Sequence, residues 1–122
     1  MLPLNCNKRM NELMVENSLL VNPDVDIKDA GHFSASTDMG DVSHLMPVIH
    51  PFIGGTNGLL HTADFHVEDF NAAVLLPAKA FAMMLVDLLY DDAKEAKAIL
   101  ADFKPVLTKE EYISKLDGYF NA

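Results

Sequence analysis

The side chains best suited to chemistry are concentrated in one stretch, from Ser34 to His66. This stretch contains four of the five histidines, four of the six glycines and two of the six prolines. Imidazole groups bind zinc or transfer protons near neutral pH, and a hydrophobic core alone does not require such clustering. Because binding and catalytic groups are often carried on loops held by a rigid scaffold, the sequence predicts a functional site here.

The spacing of these histidines does not define a metal site by itself. His61 and His66 are five residues apart, which places them on different faces of a helix and on opposite faces of a strand. His44 and His50 could share a strand face, but they would be too far apart to bind one ion. From spacing alone, each histidine could also be exposed or belong to the core.

Other reaction classes find less support in the sequence. There is no Gly-x-Ser-x-Gly nucleophile motif, and the glycine-rich run at 54–58 lacks the lysine and the following helix of a phosphate-binding loop. Asp38 and Asp41 flank Gly40 and could act as acid or base, or could simply form turns and helix caps. No complete catalytic set is therefore evident from residue types alone.

Composition limits the class of protein and its partners. A chain of 122 residues is long enough for one domain, and a net charge of -9 disfavours nucleic acid and anionic membrane surfaces. A single cysteine suits a reducing compartment, and the first residues do not form a signal peptide. The longest apolar run is interrupted by Pro77, Lys79 and Asp87, which argues against a membrane span. These features predict a cytoplasmic protein.

The first half of the chain predicts one helix and one strand. The helix begins at a cap on Asn5 and ends at Val21. Its apolar repeat consists of Cys6, Met10, Leu13, Met14 and Leu20. Leu45–Ile53 is apolar on both faces, as expected of an interior strand, although Pro47 and Pro51 restrict its pairing.

The second half is predicted to be helical. The three predicted helices are Glu68–Asp91, Ala93–Asp102 and Thr108–Tyr119. The first is interrupted at Pro77 and becomes apolar almost all round, which is typical of a helix inside a larger body. The last begins with a capping box formed by Thr108 and Glu111. One strand and about four helices do not make a self-sufficient sheet domain, so residues 1–122 are expected to form a single partial domain of the α/β class.

The string STDMGDVSHLMPVIHPFIGG, at 36–55, and the string LLHTADF, at 59–65, together resemble the zinc-dependent aminoacylase and carboxypeptidase G family. The pattern is most similar to the branch that contains aminobenzoyl-glutamate hydrolase. The segments ENS and AKAFAMMLVDLL are also similar to flanking parts of the family, so the resemblance extends to about Asp91. It implies a zinc-peptidase-like α/β/α catalytic domain, of which this chain is the C-terminal part.

The resemblance also implies roles for particular residues. His61 corresponds to the last protein ligand of a two-zinc centre. Thr37, Asp38 and Gly40 would line the substrate pocket, with His50 nearby at the end of the strand. The complete enzyme would hydrolyse the amide bond of a dipeptide or a small N-acyl amino acid.

The chain departs from the family in a major way. Intact members carry a His-x-Asp pair, a metal-bridging aspartate, a Glu-Glu pair and an inserted lid domain, none of which occurs here. Since such hydrolysis needs two metals and a base, the isolated chain is expected to be inactive and not to bind zinc tightly. It would need the missing N-terminal half as a partner. The alternative is a non-enzymatic remnant that forms a homo-oligomer by packing its apolar helix, at 78–89, against a copy of itself.

Overall fold

The computed structural model describes residues 1–29 and 37–121. Its elements in chain order are α1 (Lys8–Val21), α2 (Met39–Val42), β1 (Thr56–Asn57), β2 (His66–Val67), a π-helical turn (Asn71–Leu75), α3 (Leu76–Asp102) and α4 (Lys109–Phe120). In the described part of the chain, β1 and β2 form the one sheet, an antiparallel pair with Thr56 opposite Val67 and Asn57 opposite His66. The described chain is therefore rich in helix with a small two-stranded sheet, and the zinc-peptidase-like α/β/α domain stays a prediction.

Helix α1 is capped by Asn7, whose side chain accepts a hydrogen bond from the Met10 amide at 3.0 Å. The predicted cap at Asn5 is wrong by two residues. Hydrogen bonds to distant residues hold the preceding segment outside the helix: the Asn5 amide donates to Ser43 Oγ at 3.0 Å, and the amide of the extended residue Asn7 donates to the Val48 carbonyl at 2.8 Å. The chain therefore crosses α2 before it turns into the helix.

The core lies where α1 packs against α3. Its buried apolar residues are Leu13, Met14, Ala80, Met84 and Ile99. Asn17 is buried in the same interface and donates to the Asp87 carboxylate at 2.6 Å and to the Leu13 carbonyl at 2.9 Å. Leu20 does not pack here as the apolar repeat predicted; it is 71% exposed.

The predicted interruption at Pro77 is present, and so is the predicted break between the helices that end at Asp91 and begin at Ala93. A π-helical turn lies directly before Pro77, and the Leu76 amide bonds to the Asn71 carbonyl. Proline has no amide hydrogen for the regular ladder, which accounts for the local change in hydrogen bonding. Helical geometry is lost again from Tyr90 to Ala93, where Asp91 has φ of 50°. Aspartate tolerates this left-handed backbone better than most residues.

The predicted strand at Leu45–Ile53 is wrong in the described structure. The segment from 47 to 54 has no regular secondary structure. Val48 is buried and its carbonyl accepts from the Asn7 amide at 2.8 Å. Neither β1 nor β2 pairs with this segment, and Pro47 and Pro51 each lack a donor for a ladder.

By length and composition, the helical run Asn71–Asp102 could cross a membrane, and 11% of its most apolar window is buried within the chain. This criterion alone does not identify a membrane span, because the core helix of a soluble protein meets it too. A soluble chain is consistent with this helix, and the cytoplasmic location stays a prediction.

Candidate functional site

Two of the predicted pocket residues meet in the structure. Thr37 Oγ1 lies 3.4 Å from His50 Nε2, although the residues are 13 positions apart, and both side chains are half-buried. The same hydroxyl accepts from the Met39 amide at 3.4 Å. Thr37 thus links the first turn of α2 to the segment that carries His50.

The second ring nitrogen of His50 is buried and has no hydrogen-bond partner in the described structure. The ring edge also contacts Phe52, with centroids 5.4 Å apart at an interplanar angle of 70°. Buried polar atoms are nearly always hydrogen-bonded in folded proteins. An unpaired imidazole nitrogen next to a threonine hydroxyl therefore forms a candidate contact point for a polar group.

The other two predicted pocket residues lie in or beside α2 and do not contact His50 through any hydrogen bond in the described structure. Asp38 precedes the helix and is exposed, with no side-chain capping bond. Gly40 is buried, and a Cβ atom there would lie 2.0 Å from the Leu2 carbonyl oxygen. The role of Gly40 in this structure is to let the N-terminal segment pass close to α2.

Sequence reasoning missed the polar contacts that hold this N-terminal segment. Asp41 accepts from the Leu2 amide at 2.6 Å, and Ser43 Oγ donates to the Gly40 carbonyl at 2.6 Å.

Asp41 also acts on Tyr112 of α4. Desolvation, followed by the charge of Asp41 and a hydrogen bond to its carboxylate, raises the pKa of Tyr112. The one feature of the sequence that pointed to these contacts was the turn-forming role suggested for Asp41.

His61 lies in the connection between β1 and β2, where it is exposed and has φ of 66°. The next residue, Thr62, donates to the Asp64 carboxylate, and this bond is the main cause of a lowered Asp64 pKa. A positive φ is uncommon for residues other than glycine, although histidine adopts it more readily than most. The loop thus presents the imidazole to solvent.

The described residues bring no set of zinc ligands together around His61. Within the described ranges, no group of three or more His, Cys, Asp or Glu side chains is placed to hold a metal. A zinc site needs three or four ligands converging on the ion, and His61 would supply one. The other ligands of a site containing His61 would have to come from elsewhere.

Comparison with known proteins gives partial matches to peptidases. The chain is 33% identical over 89 residues to Xaa-Arg dipeptidase of Homo sapiens, covering 69% of this chain and 20% of that protein. It is 35% identical over 86 residues to Xaa-Arg dipeptidase of Mus musculus, covering 66% and 20%. The chain thus spans about one fifth of the length of the curated relatives it matches.

No family model matches the chain. No solved structure matches it either. The two dipeptidases support a relationship to peptidases and amidohydrolases, and neither bears on the aminobenzoyl-glutamate branch.

Proposed function

We propose that this chain forms part of a dinuclear-zinc peptidase whose complete form hydrolyses the amide bond of a dipeptide. The observation that carries the proposal is the 33% identity to Xaa-Arg dipeptidase of Homo sapiens over 89 residues. The names of both relatives favour a dipeptide over an N-acyl amino acid or aminobenzoyl-glutamate as substrate. Activity would require the part of the relatives that this chain does not match.

The local geometry agrees with a contribution to a shared site. His61 is exposed on its loop, so its imidazole is accessible to a metal held by ligands from another part of a larger protein. Thr37 and His50 are in contact and offer a hydroxyl and an imidazole, two groups suited to orienting a polar substrate. The general base and the remaining metal ligands would lie outside this chain.

A chimera tests the proposal directly. In Xaa-Arg dipeptidase of Homo sapiens, the matched segment would be replaced by the aligned segment of this chain, which makes up 69% of its residues. We expect zinc-dependent hydrolysis of an Xaa-Arg dipeptide, which is measured as the release of free arginine. A chimera that unfolds cooperatively on heating, but shows no hydrolysis above the zinc-only blank, would contradict the proposal.

The role of His61 is tested in the same chimera with a neighbouring histidine as control. His61→Ala should lower kcat/KM by at least about 100-fold and reduce bound zinc. Loss of a metal ligand lowers metal affinity and activity more than loss of a residue that orients the ligand. His66→Ala should stay within about twofold, since the His66 side chain is exposed and bonds to the Asp64 carbonyl. Equal effects of the two substitutions would contradict the proposed role of His61 as a metal ligand.

A further inference from the structure

The short helix α2 depends on contacts with other segments for its position. It has four residues, Met39–Val42, whereas isolated helices shorter than about 12 residues are marginal in water. Thr37 is tied to the first turn of this helix, because its carbonyl accepts from the Gly40 amide at 2.9 Å. A shift of α2 would therefore move the Thr37 hydroxyl, which is one of the two groups of the candidate pocket that are in contact.

Asp41 is the residue through which both ends of the chain act on α2. Its half-buried carboxylate accepts from the Leu2 amide at 2.6 Å. On the other side lies Tyr112 of α4, whose pKa is raised by desolvation and then by the Asp41 charge and a hydrogen bond to it. Hydrogen bonds to an ionised acceptor are stronger than those between neutral groups. The Asp41 carboxylate thus joins the N-terminal segment, α2 and α4 at one point.

Neutral hydrogen bonds next to Asp41 connect α2 to the same two parts of the chain. The Asn5 amide donates to Ser43 Oγ at 3.0 Å. The His44 carbonyl accepts from the Val106 amide at 2.9 Å and from the Leu107 amide at 3.2 Å. Because these contacts do not involve the Asp41 side chain, its removal should loosen α2 without unfolding the chain.

The imidazole of His50 depends on Thr37 for its position. Its Nε2 atom lies 3.4 Å from Thr37 Oγ1, whereas Nδ1 is buried and has no hydrogen-bond partner among the described residues. The edge contact with the Phe52 ring limits the tilt of the imidazole but holds neither nitrogen. The position of the Thr37 hydroxyl therefore decides how firmly the imidazole is held.

We propose that Asp41 is a positioning residue of the candidate pocket: by joining the N-terminal segment and α4 to α2, it holds the Thr37 hydroxyl against His50. The effect of Asp41 on the contact between Thr37 and His50 does not depend on the proposed hydrolase function. Its effect on hydrolysis rests on that function, since only a complete enzyme would use the two groups to orient a dipeptide.

Nuclear magnetic resonance of the 122-residue chain tests the contact itself. Thr37→Val removes the hydroxyl and provides the His50 ring shifts of a pocket without the hydrogen bond. At mildly alkaline pH, where imidazoles are neutral, Asp41→Ala should move the His50 ring shifts toward those of Thr37→Val. It should also weaken the nuclear Overhauser effect between the Thr37 methyl group and the His50 ring. Asp41→Asn keeps one acceptor oxygen and should fall between the parent and Asp41→Ala.

A second variant separates positioning from a general loss of stability. Asn17→Ala removes the hydrogen bond to Asp87 in the core between α1 and α3 and should leave the His50 ring shifts as in the parent. Parent-like shifts in Asp41→Ala, or equal shifts in Asp41→Ala and Asn17→Ala, would overturn the positioning role. If Asp41→Ala shows no cooperative thermal transition, Asp41→Asn decides, and parent-like shifts in that variant would overturn the role.

The effect on hydrolysis is tested in a chimera that keeps the partners of Asp41. Residues 1–122 of this chain would replace the matched segment of Xaa-Arg dipeptidase and the residues around it. Asp41→Ala should lower kcat/KM by about tenfold or more through misplacement of the orienting groups, with bound zinc unchanged. Asp41→Asn should restore part of the loss. Lys79→Ala, at an exposed position of α3, should keep the kcat/KM of the parent chimera.

The two experiments fail in different ways. A folded chimera without hydrolysis would contradict the proposed function and leave the resonance result on Asp41 in force. An active chimera in which Asp41→Ala keeps the parent kcat/KM, or loses zinc as His61→Ala does, would overturn the positioning of the pocket by Asp41.

Discussion

At the scale of single residues, Gly40 has the least room for a side chain next to the predicted pocket. A Cβ there would lie 2.0 Å from the Leu2 carbonyl oxygen, while Gly118 in α4 has nothing within 4 Å. Gly40→Ala should lower the free energy of unfolding by about 1–3 kcal/mol through overpacking. Gly118→Ala should raise it by about 0.5–1 kcal/mol, because alanine is the better helix former. Urea unfolding midpoints measure both, and an unchanged midpoint for Gly40→Ala would contradict the close approach.

Asn17 is the buried polar residue that joins α1 to α3. It is 2% exposed and donates to the Asp87 carboxylate. Asn17→Ala removes a charge-assisted hydrogen bond and should cost about 1.5–3 kcal/mol of unfolding free energy. The control is Asn11→Ala on the exposed side of the same helix, which should change stability by less than about 0.5 kcal/mol. Denaturant titrations of the two variants should therefore separate clearly.

Tyr112 gives a prediction for alkaline pH. Desolvation, the Asp41 charge and the hydrogen bond to Asp41 raise its pKa above the ordinary value of 10.0. Since the folded state holds this proton more tightly than the unfolded state, the stabilisation is complete below pH 10 and is lost as pH rises through the raised pKa. We expect Asp41→Asn to lower the Tyr112 pKa.

The Tyr112 titration is isolated as the difference in phenolate absorbance between the parent chain and Tyr112→Phe. Asp117→Asn, which alters a carboxylate on α4 that does not act on Tyr112, serves as the control and should leave the curve in place. An identical Tyr112 titration in the parent and in Asp41→Asn would show that Asp41 does not act on the phenol.

At the scale of elements, the clearest local signal is the start of α4. Thr108 accepts from the Glu111 amide at 3.1 Å, and the Glu111 carboxylate accepts from the Thr108 amide at 2.7 Å. Thr108→Ala should therefore lower stability by about 1 kcal/mol and fray the first turn. Ser114→Ala, in the middle of the same helix, should be neutral or slightly stabilising. Amide hydrogen exchange in the first turn of α4 distinguishes local fraying from global unfolding.

At the scale of the whole molecule, the small core between α1 and α3 predicts a low stability for the isolated chain, because few apolar side chains are buried there. Met84→Ala removes one of these buried side chains and should lower the free energy of unfolding by about 2–5 kcal/mol. Leu100→Ala, at an exposed position of the same helix, should change it by less than about 0.5 kcal/mol. Equal thermal midpoints for the two variants would contradict this assignment of the core.

Much of the helical structure could be predicted because its causes are local. The capping box at Thr108, the disturbance before Pro77 and the loss of helix at Tyr90–Ala93 all arise from residues within a few positions of each other. Such interactions act in the same way in almost any tertiary setting. The same reasoning failed at Asn5, because its amide bonds to Ser43, 38 positions away.

The sequence by itself determined the three long helices, α1, α3 and α4, and most of their ends, although not the short helix α2 or the start of α1. Only the tertiary structure decided that Thr37 contacts His50 and that Gly40 leaves room for the Leu2 backbone. It also decided that the Leu45–Ile53 segment has no strand partner in the described residues. A strand exists only through hydrogen bonds to a neighbour, and a metal site only through ligands from several segments. Both depend on distant parts of a polypeptide, which local propensity does not specify.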